Sequence, residues 1–349
     1  MQHLEGDLGS VTAPLEARHR ASGLNRRFSG GEAGFSDYMA HMLDMIFRVR
    51  SGEDAVRLKK IVAGNAPFEL KPAAGFTPGR HKQYQRGVLL IHGLTDSPYS
   101  MHHLAAFFRD NGFRVMAILL PGHGTRPGDL LDVCWQEWAK SVAYGCDQLA
   151  AEADELYLAG YSAGGALSVH QSLLDSRVRG LFLFSPALDI THRAALANVH
   201  KLYSWIVPAA RWVTIKPDLD IYKYESFPKN AAAQLYALTQ ENSRLLQTRS
   251  IELPIFTAIS QDDSSVIPAA TLKFLSDAAH PLNHLVLYTT DTTQLPPGIP
   301  PGQVELINSS LPDQKILSSA HTAILQPADD EHYGEQGEYS NCLHYYPNE

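Results

Sequence analysis

Ser162 lies in Gly160-Tyr161-Ser162-Ala163-Gly164, a G-x-S-x-G pattern set between the apolar run ELYLA (155–159) and a helix-like stretch over 163–174. A serine on such a strand-to-helix turn is pushed into a strained backbone with its hydroxyl exposed, and only small neighbours let strand and helix pack that closely. The positive end of the helix dipole then stabilises negative charge developing beside it. The chemistry would be nucleophilic attack on a carbonyl. By composition, the three fixed positions recur by chance about 0.1 times in a chain of this length, so the pattern needs partners. The plain alternative is a glycine-rich turn with a capping serine.

Two further features supply partners. His92-Gly93-Leu94, in LLIHGLTDSP, follows an earlier strand at the turn where an oxyanion hole is expected, and the amides offered are those of Leu94 and of Ala163, the residue after the serine. Two preorganised N–H groups can hold the oxyanion formed in acyl transfer. His92 itself precedes the serine at a strand end and reads as a structural turn residue. An acid and a histidine should follow in the order Ser, Asp, His. SQDDSSVIP places Asp262 or Asp263 on the loop after the strand PIFTAI, at the carboxyl end where ligands bind in such sheets, and the D-x-x-V-x-P step favours Asp263.

Among sixteen histidines, position favours His321, in the small-residue turn of KILSSAHTAIL; His280 ends a helix, His284 opens a strand, and His332 and His344 read as surface residues of a polar tail, with His332 next in line if that tail folds back. His321 would take the Ser162 proton while Asp263 holds its tautomer. LLPGHGT (119–125) is a tight glycine-rich turn without the lysine or spacing of a phosphate loop. No ligand spacing suggests a catalytic metal, and no cofactor is expected.

The elements that must position these residues are legible as apolar runs at 87–91, 113–119, 155–159, 180–184, 254–259 and 285–288, suited to buried parallel strands. Helix-like segments at 101–111, 135–151, 163–174 and 269–279 separate them, giving the rhythm of a doubly wound sheet. Residues 35–63 carry a helical pattern, followed by the connector KPAAGFTPGR, so 1–85 reads as an N-terminal helical extension and linker. The hydrolytic core would comprise 86–190 and 251–349, with 191–250 as a helical cap. The two Pro-Pro steps of DTTQLPPGIPPGQVELINSSLPDQK read as a stiff excursion after the last strand.

The 349 residues, 44% hydrophobic, can bury one large core, and the net charge of −8 is dispersed, which argues against a nucleic-acid surface. Cys134, Cys146 and Cys342 show no metal or framework spacing, and a reduced chain is the simpler reading, although Cys134 and Cys146 could pair. The N-terminus shows no apolar signal core and no run is long enough to cross a bilayer, so a soluble, cytoplasmic protein without stable membrane insertion is expected. Oligomeric state is not legible.

Together HGLTDSP, LPGHGT, GYSAGG, QDDSSV and SSAHT resemble the α/β-hydrolase superfamily, particularly its carboxylesterase and monoacylglycerol-lipase-like branch, over about residues 87–325. The resemblance implies an α/β fold with a mostly parallel eight-stranded sheet flanked by helices, and a helical cap between strands six and seven. It implies cofactor-free hydrolysis of a small-molecule ester with Ser162 as nucleophile, Asp263 as acid, His321 as base, and Leu94 and Ala163 as oxyanion donors. The chain differs in its longer N-terminal extension and in a tyrosine-rich tail where a C-terminal amphipathic helix is usual.

Leu202, Ile206 and Trp212 in the cap interval, with Tyr161 beside the serine, are the candidate substrate contacts; an apolar lining would suit an acyl chain, though the same stripe would also pack the cap onto the core. Short- to medium-chain or monoacylglycerol-like esters are favoured. The same triad would serve another acyl or carbon–carbon bond hydrolase, and the fold would also serve a ligand-binding protein without turnover.

Overall fold

Buried runs of Val, Leu, Ile and Phe without polar alternation fit parallel strands covered on both faces, and the chain places its apolar runs in that way. The computed structural model describes residues 15–28, 34–76, 78–190, 208–314, 316–339 and 343–345. In chain order the main elements are α1 (Phe35–Arg50), α2 (Ala55–Asn65), β1 (Phe68–Leu70), β2 (Tyr84–Ile91), α3 (His102–Asp110), β3 (Phe113–Ile118), α4 (Trp135–Glu152), β4 (Ala153–Tyr161), α5 (Ala163–Leu174) and β5 (Val178–Phe184). They continue with β6 (Trp212–Thr214), β7 (Phe227–Pro228), α6 (Lys229–Leu246), β8 (Ile255–Ser260), α7 (Pro268–Asp277), β9 (His284–Thr289), β10 (Val304–Asn308), β11 (Ile316–Ser319) and β12 (Leu343–Tyr345).

Eight strands form one sheet in the order β1-β3-β2-β4-β5-β8-β9-β10. Only β1 runs antiparallel, pairing Phe68 with Ala117; β2 lies between β3 and β4 in parallel register, Arg86 opposite Phe113 and opposite Glu155. All six expected runs are strands of this sheet.

Two further sheet strands escaped the sequence pattern. β1 has three residues, and it is pinned by the buried Arg114 guanidinium, 2.5 Å from Glu69 and 2.7 Å from Glu152. It falls inside the interval expected to be extension and linker, so that interval contributes to the core sheet. β10 lies within the proline-rich stretch expected to be an excursion: it pairs in parallel with β9, but as a half-exposed edge strand it lacks the apolar signature of the inner ones. The single helical pattern over 35–63 is two helices, separated at Asp54, whose side chain accepts from the amides of Val56 and Arg57 and caps α2.

Within the expected cap, residues 191–207, including Leu202 and Ile206, lie outside the described residues. The described remainder is not wholly helical. β6 and β7 pair antiparallel, Trp212 opposite Pro228, while α6 packs along α5 and leads into β8. Asn242 joins the two helices, donating to the Ala166 carbonyl at 2.8 Å and accepting from His170 Nδ1 at 2.9 Å. α6 is therefore a covering layer of the core. Cys134 and Cys146 are both free.

Candidate active site

β4 ends at Tyr161 and α5 begins at Ala163, which leaves Ser162 alone in the turn at φ 53° and ψ −114°. Such a conformation costs a non-glycine residue about 1–3 kcal/mol and persists only where the surroundings impose it. Here they do. The Ser162 amide donates to the Phe184 carbonyl at 3.0 Å, and the Ser162 carbonyl accepts from Gly165 at 2.9 Å and Ala187 at 2.9 Å. The flanking glycines are steric requirements: a Cβ on Gly160 would sit 2.2 Å from the Gly164 oxygen, and one on Gly164 would sit 2.0 Å from the Ile91 oxygen.

The same close packing brings the turn after β2 to the serine. A Cβ on Gly93 would lie 2.9 Å from the Tyr161 ring and 3.4 Å from Ser162 Cβ. Among the described residues, the amides of Leu94 and Ala163 have no hydrogen-bond acceptor, the condition an oxyanion hole requires. His92 is a structural residue, as its position suggested. Its Nε2 accepts from the Leu120 amide at 3.1 Å while Nδ1 donates to the Gly93 carbonyl at 2.8 Å. Burial, then the neighbouring His123, hold its pKa well below the ordinary value, so the ring stays neutral and ties two turns together.

Asp263 stands on the loop after β8. Its Oδ1 accepts from the amides of Ser265 at 2.8 Å and Val266 at 3.1 Å, and its Oδ2 accepts from His321 Nδ1 at 2.6 Å. Burial pushes this carboxyl upward, but the His321 hydrogen bond and charge and the two amides outweigh it and hold it below the usual carboxylate range. Asp262 is exposed and makes no such bond. With Nδ1 donating, a neutral His321 carries its lone pair on Nε2. The His321 ring lies 5.1 Å from that of Tyr161, whose hydroxyl donates to the His321 carbonyl at 3.5 Å. Among the described residues Ser162 Oγ makes no hydrogen bond; in such sites the nucleophile–base contact commonly tightens only as the reactant binds.

A cavity of about 290 Å³ opens beside this cluster, lined by Tyr161 and Thr322, the neighbours of Ser162 and His321, and by Asp96, Asp220, Lys223 and Tyr333 among others. Tyr161 lines this cavity, whose surface is predominantly apolar although charged and phenolic side chains also contribute to it. Trp212 is a correction: it is 2% exposed, sealed in the β6–β7 ladder with its ring edge-to-face with His19 at 5.1 Å, and it does not line the cavity. Burial raises the pKa of Asp96 to about 6, against the pull of Lys223.

Two contributions were missed in the sequence. The tail after His321 folds back, so His332 is buried rather than superficial, with Nε2 2.9 Å from Asp220 Oδ1, and Tyr333 and Tyr339 reach the cavity. The N-terminal extension braces the LPGHGT turn: Tyr38 Oη donates to the Leu119 carbonyl at 3.0 Å, Asn25 donates to the His123 carbonyl at 2.7 Å and Arg50 to that of Thr125 at 2.8 Å. The tail has no hydrophobic periodicity, and the helical pattern of the extension gives no sign of these polar contacts.

An eight-stranded, mostly parallel sheet with a strained serine at the turn leaving an inner strand defines a hydrolase of the α/β-hydrolase fold. The chain belongs to the serine aminopeptidase S33 family of hydrolases, whose sequence profile matches residues 82–290. It is 28% identical over 183 residues to the thermostable monoacylglycerol lipase of Bacillus sp. (strain H-257), spanning 52% of this chain and 72% of that enzyme. To the carboxylesterase of Bacillus subtilis (strain 168) it is 31% identical over 93 residues, 26% of this chain and 38% of that one. A solved structure from work on LipS and LipT, two metagenome-derived lipolytic enzymes, superposes with a TM-score of 0.53 at 23% identity, covering 64% of this chain and 87% of the other. No described helix is long and apolar enough to cross a membrane.

Proposed function

We propose that this protein hydrolyses carboxylic esters through an acyl-enzyme on Ser162, with Asp263 and His321 as its acid–base pair. The observation that carries the reading is the strained Ser162 turn in the same cluster as a 2.6 Å Asp263–His321 hydrogen bond. His321 Nε2 takes the hydroxyl proton as Ser162 Oγ attacks the ester carbonyl, and the amides of Leu94 and Ala163 receive the oxyanion. His321 then delivers that proton to the departing alcohol. Water, deprotonated by His321, attacks the acyl-enzyme, releasing the acid and restoring Ser162. Asp263, held below its usual range, stays charged and supports the imidazolium formed in both halves.

The cavity bears on substrate class. Its modest volume and its predominantly apolar lining, with charged and phenolic groups interspersed, favour a short- to medium-chain acyl ester, such as a monoacylglycerol-like one, over a long waxy one. Hydrolysis of p-nitrophenyl esters from acetate to palmitate, beside the same series of monoacylglycerols, tests both levels. Turnover of short esters that vanishes in Ser162→Ala supports the mechanism, and preference for glycerol esters supports the finer class. Full activity in Ser162→Ala, or none on any ester in the wild type, defeats it.

A further inference from the structure

Outside the serine cluster, three potential ligand side chains converge at the start of α3. His102 and His103 are consecutive, and consecutive residues within a helix normally diverge. At this junction with the preceding turn their rings lie 3.9 Å apart, and both Nε2 atoms approach Asp330 Oδ2, at 3.4 Å and 2.7 Å. One ligand atom from each of the three residues falls within 4.8 Å of the others. The Asp330 side chain is 1% exposed, and its other oxygen is occupied by the amides of His332 at 2.9 Å and Tyr333 at 2.6 Å. Oδ2 is thereby committed to the histidine pair.

The His102 contact has an unusual polarity. Its Nδ1 lies 2.5 Å from the Tyr99 carbonyl, which can only accept, so Nδ1 carries the proton and Nε2 of the neutral ring is itself an acceptor. Two acceptors, His102 Nε2 and Asp330 Oδ2, therefore face each other. Their separation matches the spacing of about 3.3 Å between two ligands that each stand about 2.0–2.1 Å from a tetrahedral ion. A histidine backed by a backbone carbonyl on its other nitrogen is also the usual arrangement of an imidazole ligand.

We propose that His102, His103 and Asp330 bind a late first-row divalent cation, Zn²⁺ being the best-matched case. Two imidazoles and one carboxylate suit Zn²⁺, Co²⁺ or Ni²⁺ rather than Ca²⁺ or Mg²⁺, which prefer all-oxygen sites. Binding replaces the His103–Asp330 hydrogen bond with two metal–ligand bonds, and the His103 Nε2 proton moves to Nδ1 or to solvent. Both histidine side chains are 36% exposed, which leaves a path for the ion and room for water as fourth ligand. The ion would staple the start of α3 to the tail segment carrying Tyr333 and Tyr339 into the cavity. Its role is to hold that segment in place, and the proposal stands independently of the ester chemistry.

The test is titration of the chelator-stripped full chain with Zn²⁺ by calorimetry and with Co²⁺ by visible absorption, beside His102→Gln and His103→Gln. The expected result is one equivalent bound tightly by the wild type, weakened by more than about tenfold in each variant, with Zn²⁺ raising the melting temperature of the wild type only. Asp330→Ala also removes the cap of the 330–333 turn, so the histidine variants decide. Absence of stoichiometric binding, or binding unchanged in both variants, would overturn the proposal and leave the cluster a set of hydrogen bonds.

Discussion

Asp263–His321 and Asp220–His332 are pairs of the same two residue types at similar distances, 2.6 and 2.9 Å, in neighbouring parts of one molecule. Their surroundings differ. His321 sits one ring away from the residue preceding a strained serine, and its own hydrogen bond and charge, with two backbone amides, hold the Asp263 carboxyl below the usual range against burial. His332 is packed against Tyr222 and Tyr99, and Asp220 Oδ2 accepts from the Tyr333 hydroxyl at 2.8 Å. The first pair shares its cluster with the strained Ser162 turn. The second is a buried polar knot that anchors the tail. An aspartate–histidine pair thus does not mark a site by itself; what distinguishes the first is the strand-to-helix turn beside it.

Substitutions can break this contrast, and the largest effects should fall on the first pair and its serine. Ser162→Ala and His321→Ala are expected to lower kcat by about 10³–10⁶-fold, whereas His332→Ala should leave kcat within about tenfold; steady-state ester hydrolysis compares them directly. Asp263→Asn should cost about 10³–10⁴-fold, with Asp262→Asn close to wild type, and equal losses in the two would remove the distinction drawn between these neighbours.

The second pair should be read in stability. Removing one partner of this buried hydrogen-bonded pair leaves the other unsatisfied, so Asp220→Ala or His332→Ala should cost about 1–3 kcal/mol in urea unfolding. A loss under 1 kcal/mol would mean that the knot does not anchor the tail.

A smaller, pH-dependent effect comes from His123, whose burial lowers its pKa from 6.5 to about 4. Between those values the unfolded chain binds the proton and the folded chain does not, so stability is full above about pH 6.5 and falls by up to about 3 kcal/mol as pH drops toward 4. His92 acts in the same direction. Asp96 opposes them, because its raised pKa favours the folded state below about pH 6 and loses that contribution as pH rises. Unfolding free energies from pH 4 to 7 should therefore slope less steeply in His123→Gln and more steeply in Asp96→Asn.

The same contrast separates what was legible in the sequence from what was not. The inner strands announce themselves because strands buried on both faces must be apolar throughout, and the serine turn because only glycine tolerates approaches of 2.0–2.2 Å at positions 160 and 164. Asp263 and His321 followed from loop position relative to those strands. β1 and β10 were hidden because a three-residue edge strand and a half-exposed one carry little hydrophobic signal. The tail was hidden for another reason: His332, Tyr333 and Asp330 are held by polar contacts between distant segments, which leave no periodicity in either. Trp212 shows the same limit, since its apolar character was evident but its partner, His19, lies far away in the chain.

The central claim is that Ser162 is the activated nucleophile, and reaction with a fluorophosphonate followed by intact-mass and peptide analysis tests it most directly. The account predicts a single adduct on the Ser162 peptide of the wild type, none in Ser162→Ala, strongly slowed labelling in His321→Ala and near-normal labelling in His332→Ala. An unmodified wild type, or an adduct that persists in Ser162→Ala, would contradict it.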